Sequence, residues 1–312
     1  MKVGIVGAGS VGSATAFALM MRGVARKIVL VDIDKKRAWS EAQDIAHAAP
    51  FAYANKIKSG DYADLCGCEV VIITAGANQK QGETRISLME RNLKVFADII
   101  PHVAENAPQA ILLVATNPVD IMTAATIKLS GFPKNRVIGS GTILDTARFR
   151  TDLGYYLGVS PKSIHANVLG EHGDSEVLCW SGGDGGTVPL EKLAHDINKP
   201  LTAEIKQSID DDVRNAAYKI IEGKGATYYG VAGGLSRICQ AISTNEYAIL
   251  TVSTFHVSIA GINNVCVSMP TVIGKRGVHS VLFPELSNDE NENLKQSALK
   301  IKQLSEQALG LI

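Results

Sequence analysis

The sequence predicts an α/β protein with a doubly wound parallel sheet in its N-terminal half and a second α/β (α+β) domain in its C-terminal half. Over the first 140 residues, continuous apolar runs rich in β-branched side chains alternate with helical patterns, as in parallel sheets covered on both faces. The first apolar run leads into a glycine-rich turn, and a mixed β region occupies the second half. A chain of 312 residues can form two domains, and we expect residues 1–140 and 141–312, with a hinge at Gly139-Ser140-Gly141.

Composition excludes several classes of partner. The chain has 31 basic and 31 acidic residues and only 5% aromatics, so we expect no binding to nucleic acid or to an anionic membrane surface. Five scattered cysteines do not form a zinc pattern; we expect no metal, and reduced thiols in the cytoplasm. We also expect no membrane span and no signal peptide.

The first strand and its turn predict a dinucleotide site. Strand 2–6 runs into Gly7-Ala8-Gly9-Ser10-Val11-Gly12, and a small-residue helix follows over about 13–22. In such a turn Gly7 permits the tight bend, Gly9 lets the backbone approach a pyrophosphate, and Gly12 lets the helix pack on the strand. The alternative is a tight strand-to-helix turn that binds no ligand.

The second strand, over 27–31, ends at Asp32. A carboxylate at this position accepts hydrogen bonds from the adenosine ribose hydroxyls and repels a 2′-phosphate. The glycine motif, its setting and this acid together predict a Rossmann-type dinucleotide-binding domain that prefers NAD to NADP.

Two further strands end at the same predicted edge of the sheet, where ligands of such folds bind. The strand at 70–74 leads to Gly76 and Ala77, and the strand at 111–115 leads to Asn117-Pro118. Asn117 carries a side-chain amide to the edge where the nicotinamide should lie, although an Asn-Pro turn is an equally good explanation. The polar loop 78–85 is a candidate lid, in which Arg85 either polarises a substrate carbonyl or is a solvated surface arginine.

The strand-like run 164–169 ends in Gly170-Glu171-His172-Gly173-Asp174. His172 is a candidate acid/base because imidazole takes and gives protons near neutral pH; the alternative is a surface turn. Asp145 and Arg148 lie three residues apart on a predicted helix. They form either an ordinary intrahelical ion pair or, if they face His172, an orienting carboxylate and a clamp for a substrate carboxylate.

The rest of the chain yields structural predictions. A helix is expected over about 36–49, another from about 86, one from about 144 and one over about 211–222. The mixed β region covers about 247–273 and a C-terminal helix starts at about Asp289. Gly182 to Gly186 is expected to be a loop.

These motifs, with Gly225-Ala226-Thr227-Tyr228-Tyr229-Gly230, resemble the lactate/malate dehydrogenase superfamily, and within it the bacterial NAD-dependent L-lactate dehydrogenases, over essentially the whole chain. The resemblance implies His172 as acid/base, Asp145 as its orienting carboxylate and Arg85 as the loop arginine. It implies substrate-binding positions at Gln79, Arg85, Asn117, Asp120, Asp145, Arg148 and Thr227. It implies NAD-binding positions at Gly7, Gly9, Val11, Gly12, Asp32, Arg37, Tyr62, Gly76, Ala77, Ala115, Thr116 and Asn117.

The implied reaction is the reversible NADH-dependent reduction of pyruvate to L-lactate. Malate dehydrogenases of this superfamily place an arginine where this chain has the neutral Gln79, so a second substrate carboxylate would be buried without its partner. Lys80 is a flexible cation that partly compensates, so the alternative is a malate dehydrogenase or a broader 2-ketoacid reductase. A non-catalytic NAD-binding structural protein is a third reading, against which the intact set of site residues argues.

Arg150 and His165 match the fructose 1,6-bisphosphate site of activated bacterial lactate dehydrogenases. The resemblance therefore implies an allosteric homotetramer, since in those enzymes the pair comes from neighbouring subunits. The alternative is that both residues are solvated or make local ion pairs.

Overall fold

The structure is a computed structural model that describes residues 1–53, 56–77 and 85–312. The predictions made for Gln79, for Lys80 and for the lid at 78–84 lie outside the described residues, as does the side chain of Arg85. Within the described ranges, no helix is both long and apolar enough to cross a membrane.

The described residues form a sheet of nine strands and a smaller sheet of three. The strands are β1 Lys2–Val6, β2 Lys27–Val31, β3 Lys56–Ser59, β4 Val70–Ile73, β5 Ile111–Val114, β6 Val137–Gly139, β7 Ile164–Leu169, β8 Val177–Gly185, β9 Val188–Pro189, β10 Ala248–Ile259, β11 Ile262–Gly274 and β12 Gly277–Val281. The large sheet has the order β12-β11-β10-β6-β5-β4-β1-β2-β3. Strands β1 to β6 pair in parallel, which confirms the doubly wound fold.

The helices cover both faces of this sheet. They are α1 Ser10–Met21, α2 Lys35–His47, α3 Arg85–Asn106, α4 Val119–Ser130, α5 Ile143–Leu157, α6 Leu190–Asp196, α7 Ala203–Lys224, α8 Tyr229–Thr244 and α9 Asn288–Leu309, with short 3₁₀ turns at 49–51, 62–65, 134–136 and 161–163. Most begin within three residues of the predicted position. The exception is α7, which begins eight residues earlier, where the side chain of Thr202 accepts a hydrogen bond from the N–H of Ile205.

The apolar strands are buried on both faces, as their composition predicts. Ile72 packs with α1 and α8 on one face, whereas its neighbour Ile73 packs with α3 and α4 on the other. Alternation along a strand sends successive side chains to opposite faces, so a strand covered on both sides is apolar throughout.

The mixed β region is a long antiparallel hairpin, β10–β11, extended by β12. The hairpin joins the large sheet where Ser253 of β10 pairs with Gly139 of β6. Hence the sheet is continuous across the predicted domain boundary, which the strand patterns of the two halves do not reveal.

The prediction of a loop at Gly182–Gly186 is wrong for its first four residues. They belong to β8, and Gly185 pairs with both Ile164 and Val188. A Cβ at Gly183 would lie 2.3 Å from a Leu190 methyl group, and one at Gly185 would lie 2.6 Å from a Leu193 methyl group. These glycines therefore let α6 pack directly against the strand.

Candidate active site

The position of Asp145 relative to His172 is set by hydrogen bonds between α5 and β7. At the start of α5, the hydroxyl of Thr142 donates to the carbonyl oxygen of Val168 at 2.5 Å. One turn later, the hydroxyl of Thr146 accepts the N–H of Val168 at 2.9 Å. These bonds fix the register of α5 against the strand, so that Asp145 faces the loop that follows the strand.

That loop is itself held in place. Gly170 has φ +83°, a value that favours glycine, and it exchanges backbone hydrogen bonds of 3.0 and 2.9 Å with Ser268 of β11. The carboxylate of Glu171 accepts hydrogen bonds from the hydroxyl of Ser175 and, at 2.7 Å, from the ammonium group of Lys300 on α9. The loop that carries His172 is therefore anchored to two distant elements.

One carboxylate joins the predicted acid/base to the predicted clamp. The Asp145 Oδ2 atom lies 2.5 Å from Nδ1 of His172, and Oδ1 accepts a hydrogen bond of 2.8 Å from Arg148. Asp145 thus forms the intrahelical ion pair with Arg148 and also faces His172. With Nδ1 engaged, Nε2 is the ring nitrogen that remains for a substrate.

The charges of this group shift its proton affinities. Burial by itself lowers the pKa of His172, but the charge and hydrogen bond of Asp145 outweigh it and raise that pKa to about 9. Burial would raise the pKa of Asp145, yet the charges and hydrogen bonds of His172 and Arg148 hold it below its usual range. The arrangement therefore favours an imidazolium next to an ionised aspartate at neutral pH.

Asp120 holds the backbone of the loop that carries His172. It is fully buried in the first turn of α4, and its Oδ2 accepts the backbone N–H of His172 at 2.9 Å. Burial raises the pKa of Asp120 to about 6. The described contacts of Asp120 place it beneath the histidine.

A cavity of about 240 Å³ opens in front of His172. Of the predicted substrate-binding residues whose side chains the structure describes, Asn117, Asp145 and Arg148 line it, together with apolar side chains of α3, α4 and α7. Apolar walls with a few converging polar groups are typical of small-molecule sites. Thr227 lies in the turn between α7 and α8, outside the residues that line this cavity.

The glycine motif has the geometry of a phosphate cradle. Helix α1 begins after Gly9, which supplies no side-chain cap to the first turn, and a Cβ at Gly9 would have no described atom within 4 Å. A Cβ at Gly12, in contrast, would lie 1.9 Å from the carbonyl oxygen of Gly7. The open helix N-terminus therefore fits a pyrophosphate, and Gly12 is required for packing.

Asp32 lies at the next strand end and is locked by backbone donors. Its Oδ2 accepts the N–H of Ala8 at 2.6 Å and its Oδ1 accepts the N–H of Asp34 at 2.9 Å. These bonds hold the carboxylate beside the glycine turn, where a ribose would follow the pyrophosphate. The residues present therefore fit a dinucleotide that carries free ribose hydroxyls.

The segments that follow β4 and β5 are linked by a residue that sequence analysis missed. Asn92 is buried in α3, accepts the N–H of Ala77 at 2.7 Å and donates to the carbonyl oxygen of Asn117 at 2.7 Å. The hydroxyl of Thr116 donates to the carbonyl oxygen of Ala75 at 2.8 Å. Gly76 is needed here because a Cβ would lie 2.5 Å from a Thr116 methyl group.

Other predicted positions lie farther from these contacts. Arg37 is exposed in the first turn of α2, and the ring of Tyr62 stacks on His102 with centroids 5.1 Å apart. Arg150 donates to the carbonyl oxygen of Ala166 at 2.8 Å, and His165 is exposed on β7.

Sequence analysis also missed Glu176 and Lys300, which line the cavity. The acidic residues of the loop 170–176 were visible as a group, but no local pattern shows that Glu176 lies beside His172 and Asp145. For Lys300, 129 residues from its partner Glu171, no signal was available.

A Rossmann domain beside a carboxylate-paired histidine defines a class, the dinucleotide-dependent dehydrogenases. Two family models match the chain: the NAD binding domain of lactate/malate dehydrogenase over residues 1–139, and its alpha/beta C-terminal domain over residues 142–311. The chain belongs to the lactate/malate dehydrogenase family, and its cofactor is NAD.

Curated relatives and solved structures agree with this assignment. The chain is 53% identical to an L-lactate dehydrogenase of Thermus aquaticus over 302 residues, 97% of both chains. It is 53% identical to one of Allorhizobium ampelinum over 305 residues, 98% of both chains. Among solved structures, the minor L-lactate dehydrogenase of Enterococcus mundtii, in a ligands-bound form, has a TM-score of 0.94 at 37% identity and 98% coverage of both chains.

Proposed function

We propose that this protein catalyses the reversible NADH-dependent reduction of pyruvate to L-lactate. The observation that carries the proposal is the Asp145 carboxylate, which binds His172 on one oxygen and Arg148 on the other at the wall of the cavity. An acid/base and a cation for a substrate carboxylate are what a 2-ketoacid requires. The relatives named L-lactate dehydrogenase support pyruvate as the substrate.

When bound, NADH supplies the hydride that reduces the keto carbon. His172 holds a proton on its ring and gives it to the keto oxygen, while Asp145 stabilises the imidazolium beforehand. Arg148 keeps guanidinium donors beyond the one that binds Asp145, and these hold the substrate carboxylate. We assign stabilisation of the developing charge on the keto oxygen to Arg85 and the polar contact to substrate and nicotinamide to Asn117.

The choice between pyruvate and oxaloacetate tests the proposal. We assign recognition of the substrate side chain to Gln79, whose neutral amide offers no countercharge to a second carboxylate. Initial rates of NADH oxidation with the two ketoacids should favour pyruvate, and Gln79→Arg should change the ratio of the two kcat/KM values towards oxaloacetate by more than about tenfold. Faster oxaloacetate reduction by the unmutated protein would establish a malate dehydrogenase, and inactivity on both ketoacids would indicate a non-catalytic NAD-binding protein.

We also propose a homotetramer regulated by fructose 1,6-bisphosphate through Arg150 and His165. Large apolar side chains on the surface of the single chain support association, among them Trp39 of α2 and Tyr229 of α8, which are 58% and 71% exposed. The negative charge of Asp184 disfavours binding of the anionic effector. Asp184 pairs in register with His165, and its charge acts on Arg150.

The effector is tested by pyruvate saturation with and without the sugar bisphosphate. A lower KM for pyruvate is expected, with loss of the effect in Arg150→Gln and stronger binding of the effector in Asp184→Asn, which removes a negative charge. Superimposable curves for the active unmutated enzyme would contradict the regulatory role.

We further propose that the enzyme works in the cytoplasm on pyruvate from glycolysis. Residues 1–140 form the NAD-binding domain and residues 141–312 the substrate domain, and Gln79, Arg85 and Asn117 of the first domain complete the substrate site. All five cysteines are free thiols, which supports a reducing compartment. The hinge residue Gly141 has φ +55° and leads directly from β6 into the turn before α5.

A further inference from the structure

Glu176 is a buried acid of the cavity wall for which the proposed reaction gives no role. The residue is 5% exposed, and its Oε1 receives no hydrogen bond from any residue that the structure describes. One Glu176 oxygen, one Asp145 oxygen and one ring nitrogen of His172 all lie within 4.8 Å of one another. Burying a carboxylate without a donor is costly, so its position beside the acid/base requires an explanation.

Charged groups from three elements face Glu176. Asp145 and Arg148 come from α5, His172 from the loop after β7, and Arg214 from α7. Arg214 is already engaged, because its guanidinium binds the Asp210 carboxylate at 2.5 Å and the carbonyl oxygen of Asp174 at 3.1 Å. Arg214 therefore acts on Glu176 through the attraction of its charge and not through a hydrogen bond.

Burial and the neighbouring charge of Asp145 raise the pKa of Glu176 to about 8, against the opposing attraction of His172. Glu176 is consequently neutral near pH 7 and ionised in mildly alkaline solution. Glu176 and Asp145, two carboxyl groups of different proton affinity, therefore lie beside one imidazole, and the charge of Asp120 also raises the pKa of His172.

We propose that Glu176 is a positioning residue for the proton of the reaction: it acts through His172, whose imidazolium it stabilises once its own carboxyl group is ionised. The inference rests on the proposed function, because it assigns to His172 the proton that reduces pyruvate. When Glu176 ionises, its proton goes to solvent, and the new negative charge holds the proton on His172. The protonated, pyruvate-reducing form of the enzyme thereby persists to higher pH.

The kinetic test is the pH profile of pyruvate reduction by Glu176→Gln, which keeps the shape of the side chain without its charge. The alkaline break in kcat/KM should move down by about one pH unit, the lower end of the range for a charge at 4–6 Å. KM for NADH at pH 7 should stay within about twofold, since Glu176 does not contact the cofactor cradle. Glu176→Asp should lie between the two profiles, and Glu222→Gln, an exposed acid of α7, should match the unmutated protein.

Direct titration of the His172 ring by NMR, in protein with labelled histidine, separates this inference from the proposed function. Resonances are assigned with His172→Gln, and the His172 pKa should fall in Glu176→Gln and partly in Glu176→Asp. Should the glutamine variant fail to fold, the aspartate variant decides. An unchanged pKa of His172 in a folded Glu176 variant overturns the role of Glu176. If the pKa shifts but the unmutated protein does not reduce pyruvate, only the proposed reaction is overturned.

Discussion

At the scale of single residues, the site depends on one aspartate that serves two partners. Asp145 is 2% exposed, so its charge is little screened by water, and both of its oxygens are bound. Because breaking a buried pair leaves an uncompensated charge, Asp145, Arg148 and His172 form a unit whose members depend on one another.

His172→Gln should lower kcat for pyruvate reduction by at least about 100-fold, the smaller contribution typical of a general acid. Binding of NADH should be almost unchanged, because the ring is held by α5 and does not belong to the glycine cradle. Steady-state rates and a fluorescence titration with NADH measure the two effects. His195→Gln, which alters an exposed histidine, serves as control, and equal losses of rate and NADH binding would contradict the assignment.

The pH dependence should follow the raised pKa of His172. Reduction needs the imidazolium, so kcat/KM for pyruvate should stay level through neutral pH and fall above about pH 9. Lactate oxidation needs the neutral ring and should rise over the same range. The folded-state pKa of His172 lies above its unfolded value of about 6.5. The contribution of the His172–Asp145 pair to the stability of the fold is therefore complete below about pH 6.5 and is lost as the pH rises through 9.

Initial rates in both directions between pH 6 and 10.5, with stability at each pH checked by reactivation at pH 7, measure this dependence. A break near pH 6.5, the ordinary value for histidine, would show that Asp145 does not control the ring.

At the scale of elements, the β1–α1 turn contains glycines of two different kinds. Gly12 is confined by backbone on one side, whereas Gly9 opens onto free space. We therefore expect Gly12 to be required for folding and Gly9 to be required for ligand binding.

Gly9→Ala and Gly12→Ala should differ accordingly. The Gly12→Ala methyl group must displace the carbonyl oxygen of Gly7, so we expect a loss of about 1–3 kcal/mol of folding free energy together with weaker NADH binding. Gly9→Ala should unfold at nearly the same temperature as the unmutated protein. It should nevertheless bind NADH poorly, because the methyl group occupies the phosphate position. Thermal unfolding and NADH titration measure both, and equal effects on stability would contradict the distinction.

At the scale of the whole molecule, the two predicted domains share a sheet and a core. β6 and β10 pair across the boundary, and one core cluster contains Leu19 of α1 and Ile238 of α8. Residues from both halves of the chain therefore lose water-exposed apolar surface in the same contact.

Unfolding should accordingly be a single cooperative transition, and NADH should shift all of it to higher temperature although the cradle lies in the first half. The fragment 1–140 should not fold stably, because it lacks α8 and α9. Calorimetry and circular dichroism at fixed protein concentration measure this, and two separate transitions, only one of them responsive to NADH, would contradict it.

The sequence by itself determined the parallel strands of the first half, the glycine cradle with Asp32, and the residue types of the acid/base group. These features are local: a strand covered on both faces is apolar throughout, and a tight turn needs glycine at fixed spacing.

Only the tertiary structure decided which groups meet. Lys300 reaches Glu171, Asn92 ties two strand ends together, Ser253 continues the first sheet into the second half, and Glu176 turns inwards beside His172. Gly183 likewise lies in a strand, at a place where any side chain would collide with Leu190. Such contacts join residues far apart in the chain, or depend on which neighbour packs across, and no local pattern of residues encodes them.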